Sequence, residues 1–440
     1  MKVAVVGSGI SGLAAAFTLA GHADVSLFEA GSWFGGHTHT VDITLPTPQG
    51  PVTHGVDTGF LVFNERTYPR LIELFATLGV RTVKSDMSFS VQVPGALRGD
   101  PLEWSGSSLN TVFAQRANLC RPRFLRMLRD LLRFNRLATR TAQAGDDGEL
   151  LQPLGDFLRQ HRFSAEFRDW YLLPMIGCIW SCPIDQMLRF PVATLIRFCH
   201  NHGLLQVADR PQWWTVAGGA RNYVGKMLAK IGDQRLNTPV RRIMRDAMGV
   251  SVATDSGWER FDHVVLATHP DQALAALADA SPQEREVLGA IRYQRNRAVL
   301  HTDSAVLPQN RSAWAAWNYE RGGAGKDAQV CLHYWLNRLQ PLPWSQPVLV
   351  SLNPVREIER TSIMGEYDYD HPVFDRAAIR AQAAVPQLQG QRRTWFCGAW
   401  TGYGFHEDGL KAGQKVGQRL LNEFQARNHS RARPVLEAVA

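Results

Sequence analysis

Gly7, Gly9 and Gly12, in the run Gly7-Ser8-Gly9-Ile10-Ser11-Gly12, have the spacing of a turn that can hold a diphosphate. Gly7 permits a tight turn, Gly9 lets backbone approach a pyrophosphate where a Cβ would collide, and Gly12 lets a helix pack closely on a strand. Glu29, farther on, can accept hydrogen bonds from both hydroxyls of a ribose and would repel a 2′-phosphate. The elements that must position these groups flank them. Val3-Ala4-Val5-Val6 reads as a buried parallel strand, Leu13 to Ala20 as a helix, and Val25-Ser26-Leu27-Phe28 as a second strand ending at Glu29. Strand, turn, helix, strand and acid form a complete dinucleotide-binding unit, with the helix N-terminus offering free N–H groups to phosphate.

A second glycine pair, Gly35-Gly36, comes six residues after Glu29 and is followed by His37 and Thr38. The segment Val3 to Thr38 resembles the N-terminal signature of the flavin amine oxidase and phytoene desaturase superfamily. That signature ends Gly-Gly-Arg; His37 stands here in place of the arginine and carries no permanent charge. The resemblance implies FAD as cofactor, with Ser11, Gly35, Gly36, His37 and Thr38 lying against it. Thr394 to Trp400, the loop Gly402-Tyr403-Gly404-Phe405-His406-Glu407-Asp408-Gly409 and a helix from Leu410 to Leu421 resemble the superfamily's C-terminal flavin motif. By that resemblance Gly398, Gly409 and Leu410 bring backbone to the pyrimidine end of the flavin, and Asp408 meets the ribityl or phosphate region. Gly413 and Gly417, four apart, suit close packing of that helix.

The segment Leu236 to Ile243 resembles the strand whose valine, here Val240, meets adenine, and Phe261 to Thr268 resembles the strand beneath the cofactor. Val56-Asp57-Thr58-Gly59-Phe60 resembles the loop near the isoalloxazine, where Gly59 and Phe60 would approach the ring. Gly-Gly-His, Asp-Thr-Gly-Phe and Gly-Phe-His-Glu-Asp-Gly together resemble a bacterial subgroup that includes flavin-dependent desaturases of methyl-branched fatty acyl chains. The implied fold is α/β: a Rossmann-like FAD-binding domain of the p-hydroxybenzoate hydroxylase/amine oxidase type, with a mixed α+β substrate domain. The FAD domain is expected from 1–85, 205–270 and 390–425, the substrate domain from 86–204 and 271–389, with Ala144 to Gly148 as an internal linker and a frayed tail from Ala426.

The net charge of +8 is local. Residues 111–145 hold eight arginines and one acid, Asp130, an excess of seven. Arg126, Arg129, Arg133, Arg136 and Arg140 step by three and four and share a helical face over residues 122–142, opposite Phe124, Leu128, Leu131 and Ala138, with Leu125 and Leu132 at the side. Such a helix is either a solvated surface helix or a dock for an anionic membrane. No aromatic-interleaved motif accompanies it, which disfavours nucleic acid. Trp170 to Trp180 carries no charge and is too short to span a bilayer; it reads as a core helix broken near Pro174 or as the wall of an apolar tunnel. Six scattered cysteines fit a reducing compartment and buried thiols better than disulfides or a zinc site.

Three functions remain open from these residues: desaturation of a lipid acyl chain, oxidation of a lipophilic amine, and non-catalytic flavin binding at a membrane. The basic helix, the uncharged segment and the subgroup resemblance favour the first, in a cytoplasmic protein peripheral to the inner face of the membrane. His406 and Tyr403 are the candidate catalytic bases, or else hold their loop by hydrogen bonds; the electron acceptor is left open.

Overall fold

Val3–Val6 forms the middle of a five-stranded, wholly parallel sheet. In a computed structural model covering residues 1–97, 99–144, 152–180, 184–206, 210–322 and 329–432, the strand order is Asp233–Arg235, Asp24–Phe28, Lys2–Val6, His263–Leu266 and Thr394–Phe396. The apolar run is unbroken because both faces are covered. Val3 and Val5 face a core shared with the helices Ile10–Leu19 and His406–Ala432; Ala4 and Val6 face a second core closed by the antiparallel strands Arg242–Asp246, Gly249–Thr254 and Gly257–Phe261. Gly413 and Gly417 are the contact between the two helices of the first layer. A Cβ at Gly413 would lie 2.1 Å from the Ser11 carbonyl oxygen, and one at Gly417 would lie 2.8 Å from Thr18.

A seven-stranded mixed sheet gathers segments distant in sequence, in the order Ile363–Asp368, Arg297–His301, Leu349–Leu352, Gln329–Trp335, Trp317–Gly322, Phe89–Gly95, Gly99–Ser105. Val350, Leu352, Leu332 and Tyr319 on its inner face join a large core with the helices between Pro122 and Asn201.

Four readings of the sequence need correction. The C-terminal helix runs from His406 to Ala432, past the start of the expected tail, because no glycine or proline interrupts it after Gly417. Phe261 to Thr268 is two elements, not one strand. The chain turns at Asp262, whose carboxylate accepts the Lys2 backbone N–H at 2.7 Å, and the parallel strand begins at His263. Helical structure continues through Pro174: a π-helical turn, Arg168–Leu172, precedes the helix Leu173–Trp180, so the proline sits near a helix start, where its missing N–H is harmless.

The fourth correction concerns the arginine stripe. Of the expected apolar face, Phe124 and Ala138 are buried while Leu128 and Leu131 are only half-buried; Met127 and Phe134 fill the core beside them, and Arg126, Arg129, Arg136 and Arg140 are exposed. Arg133 is only half-exposed. It donates to the His161 carbonyl and to Asp130, and its guanidinium lies over the Phe163 ring at 4.2 Å. Glu166 also reaches the stripe, 2.7 Å from Arg123 and 3.9 Å from Arg126. Residues 145–148 of the expected linker, residues 433–440 of the tail, and Cys182 lie outside the described residues.

Candidate active site

A cleft of about 770 Å³ starts at the carboxyl end of the Lys2–Val6 strand and reaches the inner face of the seven-stranded sheet. Gly7, Gly9, Ser11 and Glu29 line one end of it. The Gly7 turn has φ +97°, open to glycine and costly for other residues. A Cβ on Gly12 would fall 1.8 Å from the Gly7 carbonyl oxygen, so Gly12 serves packing and does not reach the cleft. A Cβ on Gly9 would meet nothing within 4 Å, because that side of the turn faces open space. Glu29 is held in place: Oε2 accepts the Ser8 N–H at 3.0 Å and the Ser8 hydroxyl at 2.5 Å, and Oε1 accepts the Gly31 N–H at 2.8 Å.

The second glycine pair packs on the first turn. The Gly35 N–H donates to the Ser8 carbonyl at 3.1 Å, and a Cβ on Gly36 would sit 3.0 Å from the Gly9 Cα. Gly35, Gly36, His37, Gly59 and Phe60 all line the cleft, and the Phe60 N–H donates to the His37 carbonyl at 2.8 Å. Thr38 does not line it; its hydroxyl lies 2.5 Å from that of Tyr223. Val240 lines the cleft from the loop before the strand Arg242–Asp246, so it is not itself a strand residue.

From the far end of the chain, Gly398, Tyr403 and His406 line the cleft. His406 stacks on Phe60 with ring centroids 3.9 Å apart, and its Nε2 lies 2.6 Å from the Tyr223 hydroxyl. Thr38, Tyr223 and His406 thus form a buried chain of hydrogen bonds that joins both glycine-bearing ends. Asp408, Gly409 and Leu410 do not reach the cleft. Asp408 instead accepts the Tyr403 and Phe405 N–H groups, each at 3.0 Å, and so folds the loop that presents Tyr403 and His406. Gly409 packs on Ile10 and Ser11, and Leu410 is buried in the core beneath. Cys397 is buried beside the Ser11 carbonyl and does not line the cleft.

Sequence reasoning missed one wall. His269, Tyr293 and the run Asp368 to Pro372 line the cleft beyond Thr268, the end of the segment expected beneath the cofactor. His269 stacks on Tyr293 at 3.9 Å, and the His37 ring lies 5.5 Å from that of His371. Burial pushes His37 and His269 down to about 4, and His371 and His406 down to about 3. Neighbouring imidazoles add to the effect at His37, His371 and His406. His37 Nε2 and His269 Nδ1 are buried without partners among the described residues, so this wall carries polar capacity that the protein itself does not satisfy. Two His-Pro pairs, His269-Pro270 and His371-Pro372, were the available sequence signal.

The other end of the cleft is apolar. Trp317, Tyr334, Val350 and Leu352 project into it from the seven-stranded sheet. Cys178, Ile179 and Trp180, the last turn of the uncharged segment, face them, while the rest of that segment is core.

The fit to a bound flavin dinucleotide is therefore specific. An open-faced glycine turn stands at a helix N-terminus, an oriented carboxylate lies one strand away, two imidazole nitrogens without a partner among the described residues line the middle, and aromatic rings flank the far end. The family of flavin containing amine oxidoreductases matches residues 10–304. A Mycobacterium tuberculosis protein named as a flavin-containing monoamine oxidase, AofH, is 27% identical over 342 residues, 76% of this chain and 70% of AofH. Cyclohexylamine oxidase from Brevibacterium oxydans shares the fold with TM-score 0.66 at 19% identity, covering 96% of this chain and 99% of that one. A CLA-producing fatty acid isomerase from P. acnes does so with TM-score 0.64 at 17% identity, covering 95% and 98%. The five-stranded Rossmann-like sheet, the separate mixed sheet and the match over two thirds of the sequence together make this chain a member of the flavin-containing amine oxidoreductase family, a flavin-dependent oxidoreductase.

Proposed function

We propose that this oxidoreductase desaturates an apolar lipid, specifically a methyl-branched fatty acyl chain of membrane phospholipid. The observation that carries the reading is the apolar arm of the cleft. Ile179, Trp180, Trp317, Tyr334, Val350 and Leu352 offer a long hydrocarbon surface, and among the described residues the only carboxylates lining the cleft are Glu29, Asp368 and Asp370. Asp368 is engaged by Arg295 and Glu29 by Ser8 and Gly31, so neither is free to take an ammonium group; Asp370, whose Oδ1 is buried without a partner among the described residues, stands on the histidine wall and is the one carboxylate that an amine substrate could use. The motif pattern of the desaturating subgroup points the same way.

When bound, FAD supplies a two-electron acceptor for a C–H bond. The residues of the chain do the rest. The apolar arm excludes water and aligns the acyl chain, and Phe60 and Tyr223 fix the His406 ring. Its burial keeps the imidazole neutral, and in the tautomer whose Nε2–H donates to the Tyr223 hydroxyl, Nδ1 is the ring nitrogen left to accept the proton leaving the adjacent carbon. Tyr403 stands on the same loop as a second acceptor or as an aromatic wall. Oxidation of a lipophilic amine is the alternative, favoured by AofH and by the Tyr403 ring. Anaerobic mixing separates the two. Phospholipid bearing methyl-branched chains should bleach the flavin absorbance and yield an acyl chain two hydrogens lighter; bleaching by simple lipophilic amines alone would overturn the lipid assignment.

A further inference from the structure

We infer that the outer face of the helix Pro122–Ala144 is a docking surface for an anionic phospholipid bilayer. Burial sorts this helix into two faces. Leu125 and Leu132 keep 42% and 46% of their surface in solvent, although the core beneath takes Phe124, Met127, Phe134 and Ala138 almost completely. At about 100° per residue, Leu125, Leu132, Arg129 and Arg136 fall within a sector of about 60°. The exposed leucines are therefore interleaved with arginines rather than set apart from them. Leu109 and Leu119, in the segment that leads into the helix, are 79% and 52% exposed. Four of the eight large hydrophobic side chains exposed among the described residues thus lie between positions 109 and 132.

The charge on this face selects the partner. Glu166 is spent on Arg123 and Arg126, and the buried Asp130 sits beside Arg129 and Arg133. Arg136 and Arg140 have no ion pair among the described residues, and the Arg129 side chain is 74% exposed. A face of cations alone would suit any polyanion. Leucines set among the cations need an apolar medium within a side chain's depth of the charges, which an anionic bilayer surface provides and a nucleic acid does not. No helix among the described residues is long and apolar enough to cross a membrane, so the attachment is peripheral. The helix also packs on Val192–Asn201, whose Phe198 lines the cleft, so docking here sets the bilayer one helix away from the cavity wall.

The proposal is read by binding and not by turnover, so it stands or falls separately from the substrate assignment. The flavin-loaded full chain is sedimented with vesicles of phosphatidylcholine alone and of phosphatidylcholine mixed with phosphatidylglycerol, at low and high salt. Binding is expected only to the anionic vesicles and should weaken with salt. Each arginine lost from the face costs about fivefold in partitioning, so R129Q/R136Q/R140Q should reduce binding by about a hundredfold. L125S/L132S should remove the binding that survives high salt. Flavin absorbance and far-ultraviolet circular dichroism confirm that each variant is folded. Equal sedimentation with neutral and anionic vesicles overturns the proposal, as does unchanged binding of a folded arginine variant. Failure of the wild-type chain to sediment with either vesicle overturns it in favour of a protein partner for this face.

Discussion

Gly9→Ala and Gly12→Ala separate gripping the cofactor from building the fold. Gly9 has φ −61° and ψ 174°, a conformation open to alanine, and its Cβ would meet nothing within 4 Å. The only intrinsic cost is a poorer helix N-cap, about 1 kcal/mol or less. The added methyl group projects into the space assigned to the cofactor diphosphate, so FAD affinity should fall at least tenfold, about 1.4 kcal/mol. Gly12→Ala reverses the pattern. Its Cβ would sit 1.8 Å from the Gly7 carbonyl oxygen and 2.9 Å from the carbonyl carbon, so strand and helix must separate. Overpacking of this kind costs about 1–3 kcal/mol in the protein without cofactor. Urea unfolding of the apoproteins and FAD titration by fluorescence quenching measure the two effects independently. Wild-type FAD affinity in Gly9→Ala would refute the reasoning, because the turn would then not lie against the diphosphate.

Asp408→Ala removes the acceptor of two backbone N–H groups and should cost about 1–3 kcal/mol; it should also slow flavin bleaching by substrate, and an unchanged bleaching rate would mean that the loop holds its shape without the carboxylate. Tyr223→Phe takes the hydroxyl from His406 and Thr38, and should lower the bleaching rate more than it lowers FAD affinity, as stopped-flow and titration would report. Acid should destabilise the apoprotein. His37, His269, His371 and His406 have folded pKa values of about 3–4 against 6.5 for the free side chain, so the unfolded chain takes up protons first. Their contribution is complete above about pH 6.5 and is lost as pH falls toward about 4; a flat urea midpoint across that range would contradict it. Glu320→Gln should cost about 3–5 kcal/mol, because it leaves the buried His333 facing a neutral group and takes the ion-pair partner from the half-exposed Arg356. Burial alone would lower His333, but Cys331 and Glu320 outweigh it and hold it up to about 9, so the variant's loss should be largest below about pH 6.5 and shrink as pH rises through about 9.

What was legible in the sequence was local or carried by a motif. The unit from Val3 to Glu29 reads almost residue for residue, since a buried strand, a glycine turn and a helix are specified by neighbours in the chain. Gly59 and Phe60, singled out by their motif, line the cleft. Asp408 shows the limit of motif reasoning: its type fits a cofactor contact, but the two N–H groups it accepts lie on its own loop. Of the histidine wall only His37, inside a motif, was legible: it meets His269 after the strands Lys2–Val6 and His263–Leu266 pair across the chain, and His371 through a separate two-stranded sheet with Tyr293–Gln294. The seven-stranded sheet is equally non-local. Its parallel pair, Trp317–Gly322 with Phe89–Gly95, leaves no trace in either segment alone. Arg133 left the stripe for a reason absent from its own helix, since the His161 carbonyl and the Phe163 ring come from the following segment.

The account rests on one flavin dinucleotide lying along the cleft from Glu29 to His406. A crystal structure of the flavin-loaded protein tests this most directly. The expected density places adenosine beside Glu29 and Val240, the diphosphate against Gly9 and Gly36, and the isoalloxazine near Gly59, Tyr403 and the Phe60–His406 stack. Density for the flavin anywhere that leaves the Gly7–Gly12 turn or the Gly398–His406 segment without contact would contradict it.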